Sequence, residues 1–128
     1  MYPSDPNSRP PASGLQSGVT VTVERLDEGA AVVVAGELDV LTAPKLDEQV
    51  SIALETRPPL LVIDLSEVTF LGSAGMSSLV SAHRMAGPAT KVRIVAAGRT
   101  TARAMQIVGL DQQLPIYSTL GEAVAADG

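Results

Sequence analysis

The sequence predicts one α/β domain, with a mixed, mostly parallel sheet, an N-terminal hairpin and helices packed mainly on one face. Two observations indicate this class. Apolar runs long enough for buried strands recur along the chain, and segments with apolar residues at helical spacing separate them. Strands that alternate with helices are typical of parallel βαβ units, in which helices cover the buried strands. The chain has 128 residues, 45% of them hydrophobic, which suffices for one domain and not for two.

Composition and charge exclude several classes of function. The absence of cysteine excludes a disulfide framework, a thiolate metal site and a cysteine nucleophile. A formal net charge of −5 argues against a surface for nucleic acid or anionic membranes. No apolar run approaches the roughly 20 residues of a membrane span, and the N-terminus lacks the layout of a signal peptide. We therefore expect a cytoplasmic protein with no cofactor and no metal.

Residues 1 to 18 are predicted to be a disordered tail, and residues 19 to 126 the folded domain. The tail contains four prolines and four serines, and Leu15 is its only branched aliphatic residue. Such a segment cannot bury enough apolar surface to offset its ordering entropy.

The domain is predicted to open with a hairpin. VTVTVERL (residues 19 to 26) alternates apolar and polar residues, as expected for a strand with one face in water. Asp27, Glu28 and Gly29 supply turn residues. The apolar run AAVVVAG (residues 30 to 36) then predicts a strand buried on both faces.

The first helix is predicted over residues 42 to 56. Thr42 can cap it, and Pro44 suits its first turn. An apolar stripe at helical spacing runs along it, made up of Leu46, Val50, Ala53 and Leu54. Residues 57 to 59 (RPP) end this helix, and LLVIDL (residues 60 to 65) predicts the next buried strand.

A second helix is predicted after the segment Gly72-Ser73-Ala74-Gly75. Four of its residues are expected on the inward side, namely Met76, Leu79, Val80 and His83. Gly87 and Pro88 end it.

The C-terminal third predicts strand, helix, strand and helix. KVRIVA (residues 91 to 96) and LPIY (residues 114 to 117) are the strands. The helix between them is expected to turn Ala104, Met105 and Val108 inward and to end at Gly109 as a left-handed cap, with Leu110 as the accompanying apolar contact. Thr119 and Glu122 have the spacing of a capping box for the closing helix.

Two polar residues are expected at the same edge of the sheet. Right-handed crossovers between neighbouring strands place the helices on one side of it. Asp39 follows the second strand and Ser73 the third, so both belong at the carboxyl edge, where functional groups of such sheets collect.

Ser73 has two interpretations, which do not exclude each other. It can be an ordinary helix N-cap, which contributes about 1 kcal/mol. It can also be presented to another protein, because Gly72 and Gly75 remove bulk around its hydroxyl and helix amides accommodate a phosphate. Ser77 and Ser78 are weaker candidates for phosphorylation, since a helical backbone fits poorly into an extended kinase groove.

Three segments resemble the anti-sigma factor antagonists of the STAS family: GELDVLTAP (residues 36 to 44), VIDLSEVTFLGSAGMSSL (residues 62 to 79) and GLDQQLPIYSTLGEAV (residues 109 to 124). The resemblance implies a STAS-like domain that is not an enzyme. It would bind an anti-sigma factor serine kinase, with a histidine-kinase-like ATPase fold, and so free a sigma factor. The kinase would phosphorylate Ser73 and end the binding, and a metal-dependent serine phosphatase would reverse this.

The resemblance also implies a partner-binding surface, made up of Asp39, Thr42, Gly72, Ser73, Ala74, Gly75 and Met76. For Asp39 the alternative is an ordinary turn residue, since aspartate often follows a strand in that role. One position departs from the family pattern. The family usually has an acidic residue immediately before its serine, and this sequence has Gly72. A STAS scaffold or nucleotide-responsive domain that is not controlled by Ser73 is therefore the alternative.

Two further chemistries are weaker. A nucleophilic Ser73 needs a base within hydrogen-bond reach, and the only histidine, His83, lies ten residues along the same helix. Asp39 could join Asp64 and Glu67 in a Mg²⁺ site. The simpler interpretation is that Asp64 marks the end of its strand and Glu67 is solvated.

Overall fold

Five strands form one sheet in the computed structural model, which describes residues 18–126 apart from the side chains of residues 99 and 100. Along the chain and across the sheet they are β1 (Val19–Leu26), β2 (Gly29–Leu38), β3 (Leu60–Leu71), β4 (Lys91–Val95) and β5 (Ile116–Tyr117). β1 and β2 form an antiparallel hairpin, and all other neighbours are parallel. The predicted fold class is confirmed. The predicted disordered tail lies, except for Gly18, outside the described residues.

Three crossover helices cover one face of this sheet. They are α1 (Ala43–Leu54), α2 (Ser73–Ala86) and α3 (Arg99–Ile107). Leu46, Leu79 and Met105, one from each helix, are fully buried in a common core with alternate residues of the strands. This arrangement follows from right-handed crossovers that all step in one direction across the sheet.

The closing helix α4 (Leu120–Ala125) lies on the opposite face. Ala123 packs there with Val62 and Val95, and buried Arg93 donates from Nη1 to the Ala123 carbonyl at 2.7 Å. The expectation that crossovers place all helices on one side is thus wrong for α4, because it connects no two strands. Its predicted cap is confirmed: the Glu122 N–H donates to Thr119 Oγ1, and Glu122 Oε1 accepts from the Ser118 N–H.

β3 is longer than its apolar run. The sequence predicted an end at Leu65, but pairing with β2 continues to Leu71 through two register shifts. Asp64 therefore lies inside the strand, and the interpretation that it marks the strand's end is wrong. Its Oδ1 accepts from the Ser66 N–H at 2.9 Å.

The inward faces of α2 and α3 differ from the predicted ones. The buried residues of α2 are Gly75, Ser78, Leu79 and Ala82, whereas Met76 and Val80 are half-buried and His83 is exposed. Val108, expected inward, is 59% exposed, because α3 ends at Ile107 and the chain turns at Gly109 with φ 77°. The predicted left-handed conformation of Gly109 and burial of Leu110 are confirmed.

Candidate functional site

Ser73 is an exposed residue at the start of α2, at the carboxyl edge of the sheet. The N-cap is Gly72, with φ −89° and ψ 179°, so the prediction that Ser73 is the N-cap is wrong by one residue. The cause is a hydrogen bond from the Gly72 N–H to the Leu38 carbonyl (2.9 Å), which ties the end of β3 to β2 and lets the helix begin at the next residue. The hydrogen bonds within residues 18–126 do not include the Ser73 hydroxyl, which is therefore available to another molecule.

The two glycines beside Ser73 accommodate the protein's own side chains. Gly75 is buried and packs against Leu38 and Leu71. A Cβ at Gly72 would lie 3.1 Å from Cε2 of Phe70, so the aromatic ring covers that side of the residue. The prediction that both glycines leave room for a partner is wrong for Gly75, which is buried, whereas Gly72 stays partly exposed with the Phe70 ring close on one side.

Asp39 organises the loop between β2 and α1. Its Oδ1 accepts hydrogen bonds from the backbone N–H groups of Leu41 and Thr42, both at 3.0 Å. The Thr42 hydroxyl accepts from the Asp39 N–H (2.9 Å) and donates to the Glu37 carbonyl (2.6 Å). Thr42 is only 6% exposed, so its side chain stabilises the loop from inside the domain and is not accessible to a partner.

Three exposed apolar side chains lie at the same edge of the sheet as Ser73, and the sequence-based prediction missed them. Val40 and Leu41, on the loop that Asp39 organises, are 74% and 81% exposed, and Phe70, at the end of β3, is 50% exposed. Together with Asp39 and Ser73 they form the surface that we name the rim. Two adjacent apolar residues in a turn were the available signal for Val40 and Leu41, since a loop rarely exposes such a pair without a function.

A groove of about 400 Å³ begins at Ser73 and runs along α2. Its lining consists of residues from α2 and from the turn after α3: Ser73, Met76, Ser77, Val80, Ser81, Arg84, Val108, Leu110 and Gln113. We name it the α2 groove. Ser77 is exposed here, whereas Ser78 is 6% exposed and packs inside the domain. Ser78 is thus inaccessible to a kinase in the folded protein.

The described residues do not assemble a metal site or a membrane span. Within residues 18–126, no group of three or more His, Asp and Glu side chains is placed to hold a metal ion, and Asp39, Asp64 and Glu67 form no such group. None of the helices in that range is long and apolar enough to cross a membrane. His83 lies exposed in the last turn of α2, far along the helix from Ser73.

Comparison with known proteins assigns the fold to a family. A model described as the STAS domain matches residues 20–123. The chain belongs to the STAS-domain family. The anti-sigma-F factor antagonist RsfB of Mycobacterium tuberculosis is 38% identical over 106 residues, which cover 83% of this chain and 87% of that protein.

Solved structures agree with this assignment. The crystal structure of an anti-sigma factor antagonist from Mycobacterium paratuberculosis is 40% identical, with a TM-score of 0.81 over 84% of this chain and 92% of that one. SpoIIAA of Bacillus in its phosphorylated form shares the fold, with a TM-score of 0.61 at 19% identity over 82% of this chain and 96% of that one. The predicted family is confirmed, and the named relatives are anti-sigma factor antagonists, which are regulatory proteins and not enzymes.

The predicted partner-binding residues of the STAS domain fall into two groups. Ser73 is exposed, and Asp39, Gly72, Ala74 and Met76 are partly exposed, so these five can contact another protein. Thr42 and Gly75 are buried, and their contacts hold the β2–α1 loop and helix α2 in place.

Proposed function

We propose that this STAS domain acts in the cytoplasm as an anti-sigma factor antagonist. It binds an anti-sigma factor that is a serine kinase with a histidine-kinase-like ATPase fold, and thereby releases a sigma factor. Phosphorylation of Ser73 ends the binding, and a metal-dependent serine phosphatase restores it. The names of the relatives support the antagonist role, and the observation that carries the switch is the exposed, uncommitted hydroxyl of Ser73 at the first position of α2.

The rim supports binding to a protein rather than to a small molecule. Val40, Leu41 and Phe70 present apolar side chains at the same edge as Ser73. The loop that carries the first two is held in place because Asp39 Oδ1 accepts hydrogen bonds from the N–H groups of Leu41 and Thr42. A preorganised loop loses little conformational entropy on binding. Burial of an exposed aliphatic side chain contributes about 1.5–3 kcal/mol, so this apolar surface can anchor a partner.

Phosphorylation changes the rim without disturbing the core. A phosphate on Ser73 adds about −1.5 to −2 charges and three acceptor oxygens at neutral pH. The first backbone N–H groups of α2 have no hydrogen-bond partners within the helix. They can therefore donate to the phosphate and stabilise its charge in the free protein. Against an apolar partner surface without a cation, the same charge costs several kcal/mol, which lowers affinity by about a hundredfold or more.

One observation favours the alternative, a STAS scaffold that Ser73 does not control. The N-cap of α2 is Gly72, so no carboxylate stands beside the hydroxyl at the position where the family usually has one. Such a scaffold would keep its partners whatever the state of Ser73.

The deciding experiment is a pull-down from native lysate with three baits. The first is the unmodified protein, the second carries phosphoserine at Ser73, and the third carries phosphoserine at Ser51, an exposed residue on α1 that adds the same charge elsewhere. We expect the first and third baits to retain a protein with a histidine-kinase-like ATPase domain and the second to lose it. Equal retention on all three baits would favour the scaffold.

A further inference from the structure

The α2 groove combines an apolar floor with a polar wall and one cation. Its apolar lining consists of Met76 and Val80 of α2 and of Val108 and Leu110 from the turn after α3. Ser73, Ser77 and Ser81 form the wall, and all three are exposed. Arg84 stands at the far end and is the one charged residue among the described residues that line the groove.

The serine wall has a spacing that suits an extended polypeptide. Ser73, Ser77 and Ser81 follow one another at intervals of four residues, which is about 6 Å along a helix axis. An extended chain repeats its backbone groups on one side every two residues, at about 6.6–6.8 Å. Three hydroxyls in a row can therefore bond successive N–H and C=O groups of an extended segment. A bound helix would offer no such groups, because its own turns use them.

We propose that the α2 groove binds an extended segment of the anti-sigma factor, which packs apolar side chains against Val80 and Val108 and places a carboxylate on Arg84. The inference rests on the antagonist function proposed above and identifies the chemistry of the partner at the same site. From Ser73 to Arg84 the groove spans eleven residues of helix, or about 16 Å, the length of about five extended residues. The lone guanidinium favours a carboxylate, because the two form charge-assisted hydrogen bonds.

The position of the groove explains how a phosphate on Ser73 can weaken the binding of a segment that lies along the whole α2 groove. Ser73 belongs both to the rim and to the wall of the α2 groove. Phosphorylation there removes the hydroxyl that begins the wall and places negative charge where the extended segment enters. The carboxylate on Arg84 lies about 16 Å away and is largely screened from this charge, so the phosphate opposes binding where the segment enters, because it must be desolvated there without a cation.

Adjacent residues after α3 allow a matched test. Val108 lines the groove and is 59% exposed, whereas Ile107 is 73% exposed and lies outside it. Dissociation constants would be measured by isothermal titration calorimetry with the purified anti-sigma factor retained by the unmodified bait. We expect Val108→Asp to weaken binding by about tenfold or more, because a carboxylate is buried without a partner, and Ile107→Asp to change it by less than about threefold.

Arg84 and Arg25 form the second pair. Arg25 is exposed on β1 and lies outside the groove, so Arg25→Glu changes the net charge as Arg84→Glu does. We expect Arg84→Glu to weaken binding by about tenfold and to reduce its dependence on salt, with Arg25→Glu within about threefold of the original protein. If the original protein binds and both groove variants bind as their controls do, the groove is not the contact although the antagonist function stands. If the original protein does not bind any anti-sigma factor, both proposals are overturned.

Discussion

Gly75 in α2 lies directly against Leu38 at the end of β2. A Cβ at position 75 would stand 2.9 Å from the Leu38 Cβ and 2.8 Å from Cδ1 of Leu71, closer than packed carbon atoms approach. Helix α2 therefore rests on the sheet at a depth that requires glycine at this position. Ser73 lies two residues earlier in the same turn of α2. The close contact of Gly75 with Leu38 therefore also fixes the position of Ser73 at the rim.

Gly75→Ala is expected to lower the free energy of unfolding by about 1–2 kcal/mol. Overpacking costs about 1–3 kcal/mol, which exceeds the gain of at most about 1 kcal/mol from the better helix propensity of alanine. Urea denaturation measures the difference. The control is Gly121→Ala in α4, where the nearest atom to the new Cβ is 3.9 Å away. For Gly121→Ala we expect the free energy of unfolding to rise by about 0.5–1 kcal/mol. An equal rise for both variants would contradict the packing argument.

Thr42→Val is expected to destabilise the domain by about 1–3 kcal/mol. The substitution keeps the shape but leaves the Asp39 N–H and the Glu37 carbonyl without the hydroxyl that bonds both. Thermal and urea unfolding would show the loss. Thr69→Val is the control, because its hydroxyl is exposed and its bond to the Gly36 carbonyl is long, at 3.3 Å. A change of less than about 0.5 kcal/mol is expected there.

The order of the elements could be predicted because the central strands contain buried apolar runs, β1 alternates apolar and polar residues, and each crossover helix carries an apolar stripe. The capping box at Thr119 and the left-handed Gly109 are local signals, and both were found. The end of β3 could not be predicted from the sequence, because the last six residues of the strand include exposed polar side chains and pair with β2 only through register shifts. Such irregular pairing depends on the neighbouring strand, which a local pattern does not contain.

The placement of Asp39 and Ser73 at one edge of the sheet could be predicted, but the local structure around them could not. Strand order alone brings Asp39 and Ser73 to one edge of the sheet. The helix start at Ser73 and the burial of Gly75 depend on Leu38, which is distant in sequence and bonds Gly72. Local structure that depends on such long-range contacts cannot be predicted from the residues immediately around it.

Leu41→Ser is expected to weaken binding to the anti-sigma factor by about tenfold or more without lowering stability. Leu41 is 81% exposed in the free protein, so its apolar surface contributes only when a partner covers it. Titration calorimetry and urea denaturation separate the two effects. Ile52→Ser on α1 is the control, since Ile52 is also exposed but lies outside the rim. Equal weakening by both variants would indicate a general loss of solubility or fold.

Gly72→Asp is expected to stabilise the domain by about 0.5–1 kcal/mol. With φ −89° and ψ 179°, position 72 has the extended conformation of an N-cap that any residue adopts. An aspartate adds a side-chain acceptor for a helix amide and a negative charge at the positive end of the dipole. Gly72→Ala is the control, because its Cβ contacts the same Phe70 ring but adds neither a side-chain acceptor nor a negative charge. A melting temperature for Asp no higher than for Ala would contradict this account.

Phosphorylation of Ser73 is expected to leave the domain folded and to raise its free energy of unfolding by about 0.3–1 kcal/mol. Ser73 is exposed at the first position of α2, where free amides and the helix dipole favour negative charge. Ser78→Asp gives the contrasting result, because Ser78 is 6% exposed and a buried carboxylate costs several kcal/mol. Circular dichroism with urea denaturation measures both. If phosphorylated Ser73 unfolded the domain, partner release would follow from loss of the fold, and the rim would no longer explain the switch.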